Sequence, residues 1–179
     1  MDPDMKMTDL STARLHLRPL RQSDDAALFP FTSDPEVMRF WDWPEHGSLT
    51  ITTAFVAALL EEVAAGNAHY WAICLDREGR VIGTCDLSEI DEHHRRAEVG
   101  FMVAREYWGK GYAFEAMQKV IEYAARSMGI QRFSARTHAG NERSAVLLRR
   151  LGFVLEGTLR GYVKRDGIRR DCWLFGYVK

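Results

Sequence analysis

The stretch from Glu98 to Met128, "EVGFMVAREYWGKGYAFEAMQKVIEYAARSM", constrains the fold more than any other part of the chain. It begins as a β-rich run and then passes two glycines placed around Lys110. From there Ala116, Met117, Val120, Ile121, Ala124 and Met128 trace one stripe of a helix that stops at Gly129. A glycine step that opens a helix presents unpaired N–H groups beside the positive end of the helix dipole. An anion such as a phosphate is its natural guest.

The flanking sequence predicts what surrounds that stretch. "RLHLRPL" alternates leucine with basic residues as a half-buried strand does, and "SDDAALFPF" and "SDPEVMRFW" each open with capping residues before turning apolar. "TITTAFVAALLEEVAAG" places Phe55, Val56, Leu59, Leu60 and Val63 at helical spacing and closes on Gly66. "HYWAICL", "RVIGTCDLSEI" and "RAEVGFMV", broken by "DREG" and "DEHHRR", read as an antiparallel meander that feeds the glycine step. Beyond the helix, "RFSARTH" returns as a strand, and "NERSAVLLRRLGF" is a helix capped by Asn141 and stopped at Gly152. "FVLEGTLRGYVK" and "IRRDCWLFGYV", joined by "RDG", form a hairpin. The order predicts an α+β fold, an α/β sandwich of helices on one mixed sheet. Residues 1–12 are expected to be disordered and residues 13–179 to form a single domain.

Composition bounds the function. With 179 residues, 46% hydrophobic, there is material for one sizeable core. The longest apolar run, residues 54–60, is far below the roughly 18 residues of a membrane span, and the acidic start lacks the regions of a signal peptide, so a cytoplasmic protein with no membrane partner is expected. Cys74, Cys85 and Cys172 are scattered and odd in number, which points to reduced thiols, and neither they nor the adjacent His93 and His94 have metal-site spacing. A formal charge of -1 gives no case for nucleic acid, and the basic closing stretch reads as the solvated face of a hairpin.

The glycine step is not a P-loop, lacking the Gly-Lys-Ser/Thr ending, nor a dinucleotide fingerprint, lacking the third glycine. Instead "YWGKGYA" resembles the acetyl-CoA pyrophosphate loop of the GNAT acetyltransferase superfamily, Gln/Arg-x-x-Gly-x-Gly/Ala. Trp108, Gly111 and Ala113 stand at its motif positions, tryptophan replacing the usual Gln or Arg. The chain resembles the RimJ/RimL-type branch over most of its length. "RLHLRPLRQSDDAALF", "SDPEVMRFW", "AEVGFMV", "NERSAVLLRRLGF" and "EGTLRGYVKRDGIRRDCWLFGYV" follow one another in the order of that branch.

The resemblance implies a GNAT-like, mostly antiparallel central sheet and direct transfer of an acetyl group from acetyl-CoA to a primary amine, without an acetyl-enzyme and without a metal. The acceptor would be a protein N-terminal α-amine, a small amine or amino-acid-like metabolite, or a polyamine. A polyamine would want an acidic pocket, which Asp24, Asp25, Asp34, Glu36 and Asp42 could supply. The amides of Trp108, Gly109, Lys110, Gly111, Tyr112 and Ala113 would hold the pyrophosphate, with Asn141 contacting CoA. The edge at Phe101, Met102 and Val103 would pair with pantetheine. Glu98, with Ala97 and Val99 facing the other side of its strand, would be the general base, its pKa raised by the cleft. Leu148 stands where many family members carry a tyrosine that protonates the leaving thiolate, so Ser144 is implied for that role. Trp41 and Trp43 would line the acceptor pocket, with His138 facing the cleft. Dimerisation through the last strands is common in such folds, which makes a homodimer an expectation. A competing reading keeps the same CoA site but makes the protein a non-catalytic acyl-CoA sensor or assembly partner.

Overall fold

In a computed structural model, which describes residues 7–75 and 79–179, all eight strands join one sheet. In chain order the elements are β1 (Leu10–Ser11), β2 (His16–Pro19), α1 (Asp25–Thr32), α2 (Pro35–Met38), α3 (Leu49–Ala64), β3 (His69–Cys74), β4 (Val81–Asp91), β5 (Arg96–Val103), α4 (Tyr112–Ser127), β6 (Arg132–His138), α5 (Glu142–Arg150), β7 (Val154–Arg165) and β8 (Ile168–Val178). The strands lie in the order β1-β2-β3-β4-β5-β6-β8-β7. Every pairing is antiparallel except β5 with β6.

The expected start of order is corrected. Leu10 and Ser11, placed in the disordered segment by the sequence reading, pair with Leu17 and His16. Leu10 buries its side chain and the Trp71 indole N–H donates to the Thr8 carbonyl, so this short edge strand is held by the core rather than by its own propensity. Residues 1–6, and Asp76 to Glu78 of the "DREG" turn, lie outside the described residues.

Alternation along β5 divides the core. Ala97, Val99 and Val103 face α4 in one cluster with Met117, Val120 and Phe133, whereas Met102 faces the other way into a cluster with Leu28, Phe31 and Val56 of α1 and α3. Gly66, at φ 76°, supplies the left-handed stop after α3. Asp166 and Gly167, at φ 54° and 78°, make the tight turn between β7 and β8.

The feature that creates a site is a divergence. β5 and β6 pair only at Arg96↔Arg132, Ala97↔Phe133 and Glu98↔Ser134. Past Glu98 the two strands part, while β6 stays paired with β8 as far as His138↔Cys172. A wedge-shaped gap opens in the middle of the sheet, with α4 and α5 beside it.

Candidate active site

The gap is part of a cleft of about 1230 Å³, larger than the usual small-molecule pocket and able to hold an extended cosubstrate beside an acceptor. At one end stands the glycine step. Gly109 and Gly111, at φ 73° and 81°, turn the chain through left-handed conformations that other residues resist. Among the described residues the amides of Gly109, Lys110, Gly111, Tyr112 and Ala113 have no protein partner, which leaves five donors at the positive end of α4. The expected set is corrected at its first member, because the Trp108 amide already donates to the Arg105 carbonyl. The Lys110 side chain lies outside the cleft lining, with Nζ over the Tyr107 ring at 5.3 Å, so Lys110 contributes to the cradle through its amide.

Trp108, which replaces the motif's polar residue, anchors the turn from below. Its indole N–H donates to the Val103 carbonyl at 2.7 Å, and Arg143 of α5 covers its ring at 4.4 Å. Arg14, between β1 and β2, ties the same turn from outside. Its guanidinium donates to the Lys110 carbonyl at 3.0 Å and to Glu115 of α4 at 2.7 Å.

The edge of β5 carries the next donors and acceptors. Ala104 donates to Ile82 on the β4 side, while the Arg95 carbonyl accepts on the β6 side. Strand alternation therefore turns the backbone of Val99, Phe101 and Val103 into the gap. Met102 is corrected here. Its backbone groups face β4 opposite Thr84, and its side chain is buried, so it cannot pair with a ligand in the gap. Val103 keeps its amide, its carbonyl being held by Trp108.

The floor of the cleft on the α1–α3 side is acidic. Glu98 points there as alternation predicts, and both its oxygens accept from Arg136 Nε of β6, at 3.0 and 2.8 Å. Arg136 also donates to Glu89 and to the Tyr162 hydroxyl. Burial pushes the Glu98 carboxyl above its ordinary range although the Arg136 charge pulls the other way. Across the strand pair lies Asp86 of β4, opposite Gly100 on one side and Tyr70 on the other. Its pKa is pushed up to about 7 by loss of water and then by the Glu98 charge, against a hydrogen bond from Ser88. The sequence reading passed over Asp86, yet the signal was the same as for Glu98: one acid on a strand whose alternate positions, Cys85 and Leu87, are core.

Ser144 and Asn141 begin α5 on the other wall. Asn141 caps the helix by accepting from the Ser144 amide at 3.3 Å and donates to Thr137 at 2.9 Å, so its cap role is met. The half-buried Ser144 lines the cleft, and its hydroxyl has no hydrogen bond among the described residues. Leu148 packs into the core.

Trp41 and Trp43 also line the cleft, their rings 5.4 Å apart, with Phe55 5.7 Å from Trp43. Between them Asp42 reaches across to His138, Oδ1 to Nε2 at 2.9 Å, joining the loop to the end of β6. His138 is buried, and its Nδ1 has no partner among the described residues. From the hairpin tip, Arg165 donates to the Met38, Arg39 and Trp41 carbonyls. The cleft thus unites an anion cradle, a free strand edge and two carboxyls raised by burial, the equipment of a group-transfer enzyme acting on a phosphorylated cosubstrate.

Comparison with known proteins gives the family. Residues 14–154 match the model of the acetyltransferase (GNAT) domain, and the chain belongs to that family. It is 34% identical over 173 residues to an uncharacterized N-acetyltransferase, p20, of Bacillus licheniformis, covering 97% of each chain. It is 35% identical over 107 residues to the [ribosomal protein uS5]-alanine N-acetyltransferase of Escherichia coli (strain K12), covering 59% of this chain and 55% of that one. Its fold matches RimL, the ribosomal L7/L12 α-N-protein acetyltransferase in complex with coenzyme A, at a TM-score of 0.85 and 21% identity over 96% of this chain and 98% of that one. The protein is an acetyl-CoA-dependent N-acetyltransferase.

Proposed function

We propose that the cleft transfers the acetyl group to a singly charged α-amine, that of a protein N-terminus or an amino-acid-like molecule. The observation that carries this reading is the floor: a carboxyl with a pKa of about 7 facing the cleft beside an aromatic wall. An α-ammonium, with a pKa of about 8, can pass a proton to such a group at little cost, whereas an ε-ammonium near 10.4 pays more. A polyamine also needs several uncompensated carboxylates. Asp24 is paired with Arg18, Asp34 with Arg105 and Glu89 with Arg136, so those charges are already spoken for.

In this reading the amides of Gly109 to Ala113 hold the pyrophosphate of acetyl-CoA. The backbone of Val99, Phe101 and Val103 pairs with pantetheine and polarises the thioester carbonyl. Trp41 and Trp43 enclose the side chain next to the amine, Asp86 and Glu98 serve it on the floor, and Ser144 protonates the departing thiolate. The buried cysteines fit a cytoplasmic setting, and among the described residues no helix is long and apolar enough to cross a membrane. A homodimer would form across β7, the last strand of the sheet, which exposes Val154 and Leu155. Light scattering would then read twice the single-chain mass of 20.5 kDa.

The experiment compares kcat/KM for a short peptide with a free N-terminus, the same peptide with its N-terminus blocked and one lysine, and spermidine. The free α-amine is expected to exceed the others by about tenfold or more. A preference for spermidine would overturn the reading.

A further inference from the structure

Two carboxylates share the cleft floor, and their surroundings divide the work between them. Glu98 is fixed by the Arg136 guanidinium, which reaches both its oxygens from Nε. The adjacent guanidinium charge lowers the basicity of that carboxylate, and the one shared N–H leaves lone pairs on both oxygens, which suits holding an ammonium more than taking a proton from it. Asp86 has no ion pair with a cation among the described residues, only the hydrogen bond from Ser88. Its position is made by a missing side chain. A Cβ on Gly100 would stand 2.5 Å from Oδ1 and 2.9 Å from Oδ2, so the carboxylate lies directly against the β5 backbone. The next residue, Phe101, turns its N–H and C=O into the gap where a thioester would pair. The groups facing Asp86 are Glu98 from β5, Ser88 on its own strand, Tyr70 of β3, and Glu62 of α3, which accepts from the Tyr70 hydroxyl.

We propose that Asp86 is the general base of the acetyl transfer and that Glu98, held by Arg136, binds and orients the acceptor ammonium. This rests on the N-acetyltransferase reading above. The ammonium gives one proton to the Asp86 carboxylate, and the freed nitrogen lone pair attacks the thioester carbonyl carbon. The C–N bond forms, the tetrahedral oxyanion collapses, and the C–S bond breaks with its electron pair leaving on sulfur. The second nitrogen proton replaces the one that the Ser144 hydroxyl gives to the thiolate, and the proton on Asp86 returns to water. Products are the N-acetyl amine, free CoA and one proton. A carboxyl poised near neutrality fits this duty, being ionised when needed and basic enough to accept.

The test is the pH profile of amine-dependent CoA release for the wild type, Asp86→Asn, Glu98→Gln and Gly100→Ala, with the acetyl-CoA-induced rise in Tm measured for each. Asp86→Asn is expected to lose about 100-fold or more in kcat and the acid limb near pH 7, with its response to acetyl-CoA unchanged. Glu98→Gln should raise KM for the amine and keep that limb. Gly100→Ala, which displaces the Asp86 carboxylate without removing it, should lower kcat in the same direction and guards against misfolding of the first variant. Asp86→Asn with kcat within about threefold of wild type, or an acid limb that disappears with Glu98→Gln instead, would overturn the assignment. A wild type that acetylates no primary amine would overturn the functional reading as well, so the two failures are distinct.

Discussion

Gly111 shows how one residue can carry a binding site. Its φ of 81° sets the direction of the amides at the start of α4, and an added Cβ would stand 3.4 Å from the Arg14 guanidinium. Gly111→Ala is therefore expected to cost about 1–2 kcal/mol in stability and to weaken acetyl-CoA binding, both readable in one series of thermal melts. Asp86 offers a second prediction at this scale. Because its carboxyl is raised in the folded protein, its ionisation opposes folding. That cost is absent below the unfolded value near 4 and fully present once the pH has risen through about 7. Asp86→Asn should thus raise Tm at pH 8 and leave it nearly unchanged at pH 4. About three pKa steps bound the gain at about 4 kcal/mol, and water in the cleft reduces it. An unchanged Tm difference between the two pH values would contradict the burial argument. Alternation in "RAEVGFMV" was enough to aim Glu98 into the cleft. It could not show that Arg136, 38 residues away, would hold it, because the sequence does not state the register of β6 against β5.

At the scale of elements, the closing hairpin behaves differently from its composition. Its basic residues read as a solvated face, and most are exposed, but Arg165 is 9% exposed and donates to three carbonyls of the segment that ends in Trp41. Glu45 and Asp166 balance its charge at 3.6 and 3.5 Å. The tip of β7 and β8 thereby fixes the loop that carries Trp41, Asp42 and Trp43, and Asp42 fixes it again through His138. Arg165→Leu would leave those carbonyls without their donor. It should cost about 2–3 kcal/mol in stability and raise KM for the amine more than it lowers kcat. Equal loss in kcat and kcat/KM would mean that the loop acts on the transition state rather than on binding. Helix limits and the hairpin turn were legible because caps, glycine stops and "RDG" are local signals. The Arg165 contact was not, since it joins residues more than 120 positions apart.

For the whole molecule, the decisive event is that β5 and β6 run parallel for three residue pairs and then part. The meander, the crossover helix and the final hairpin were each readable from periodicity. The divergence was not, because it follows from the packing of α4 and α5 against one face and α1–α3 against the other. The wedge brings the glycine amides, the β5 edge, the acidic floor and Ser144 around one space. Met102 drops out because its backbone groups face β4. The most direct measurement is release of free CoA thiol from acetyl-CoA, followed with and without a primary α-amine and matched to the amount of N-acetylated product. The account predicts amine-dependent release with one acetylated amine per thiol. Thiol release that is indifferent to the amine, or none with any amine despite acetyl-CoA binding, would contradict it.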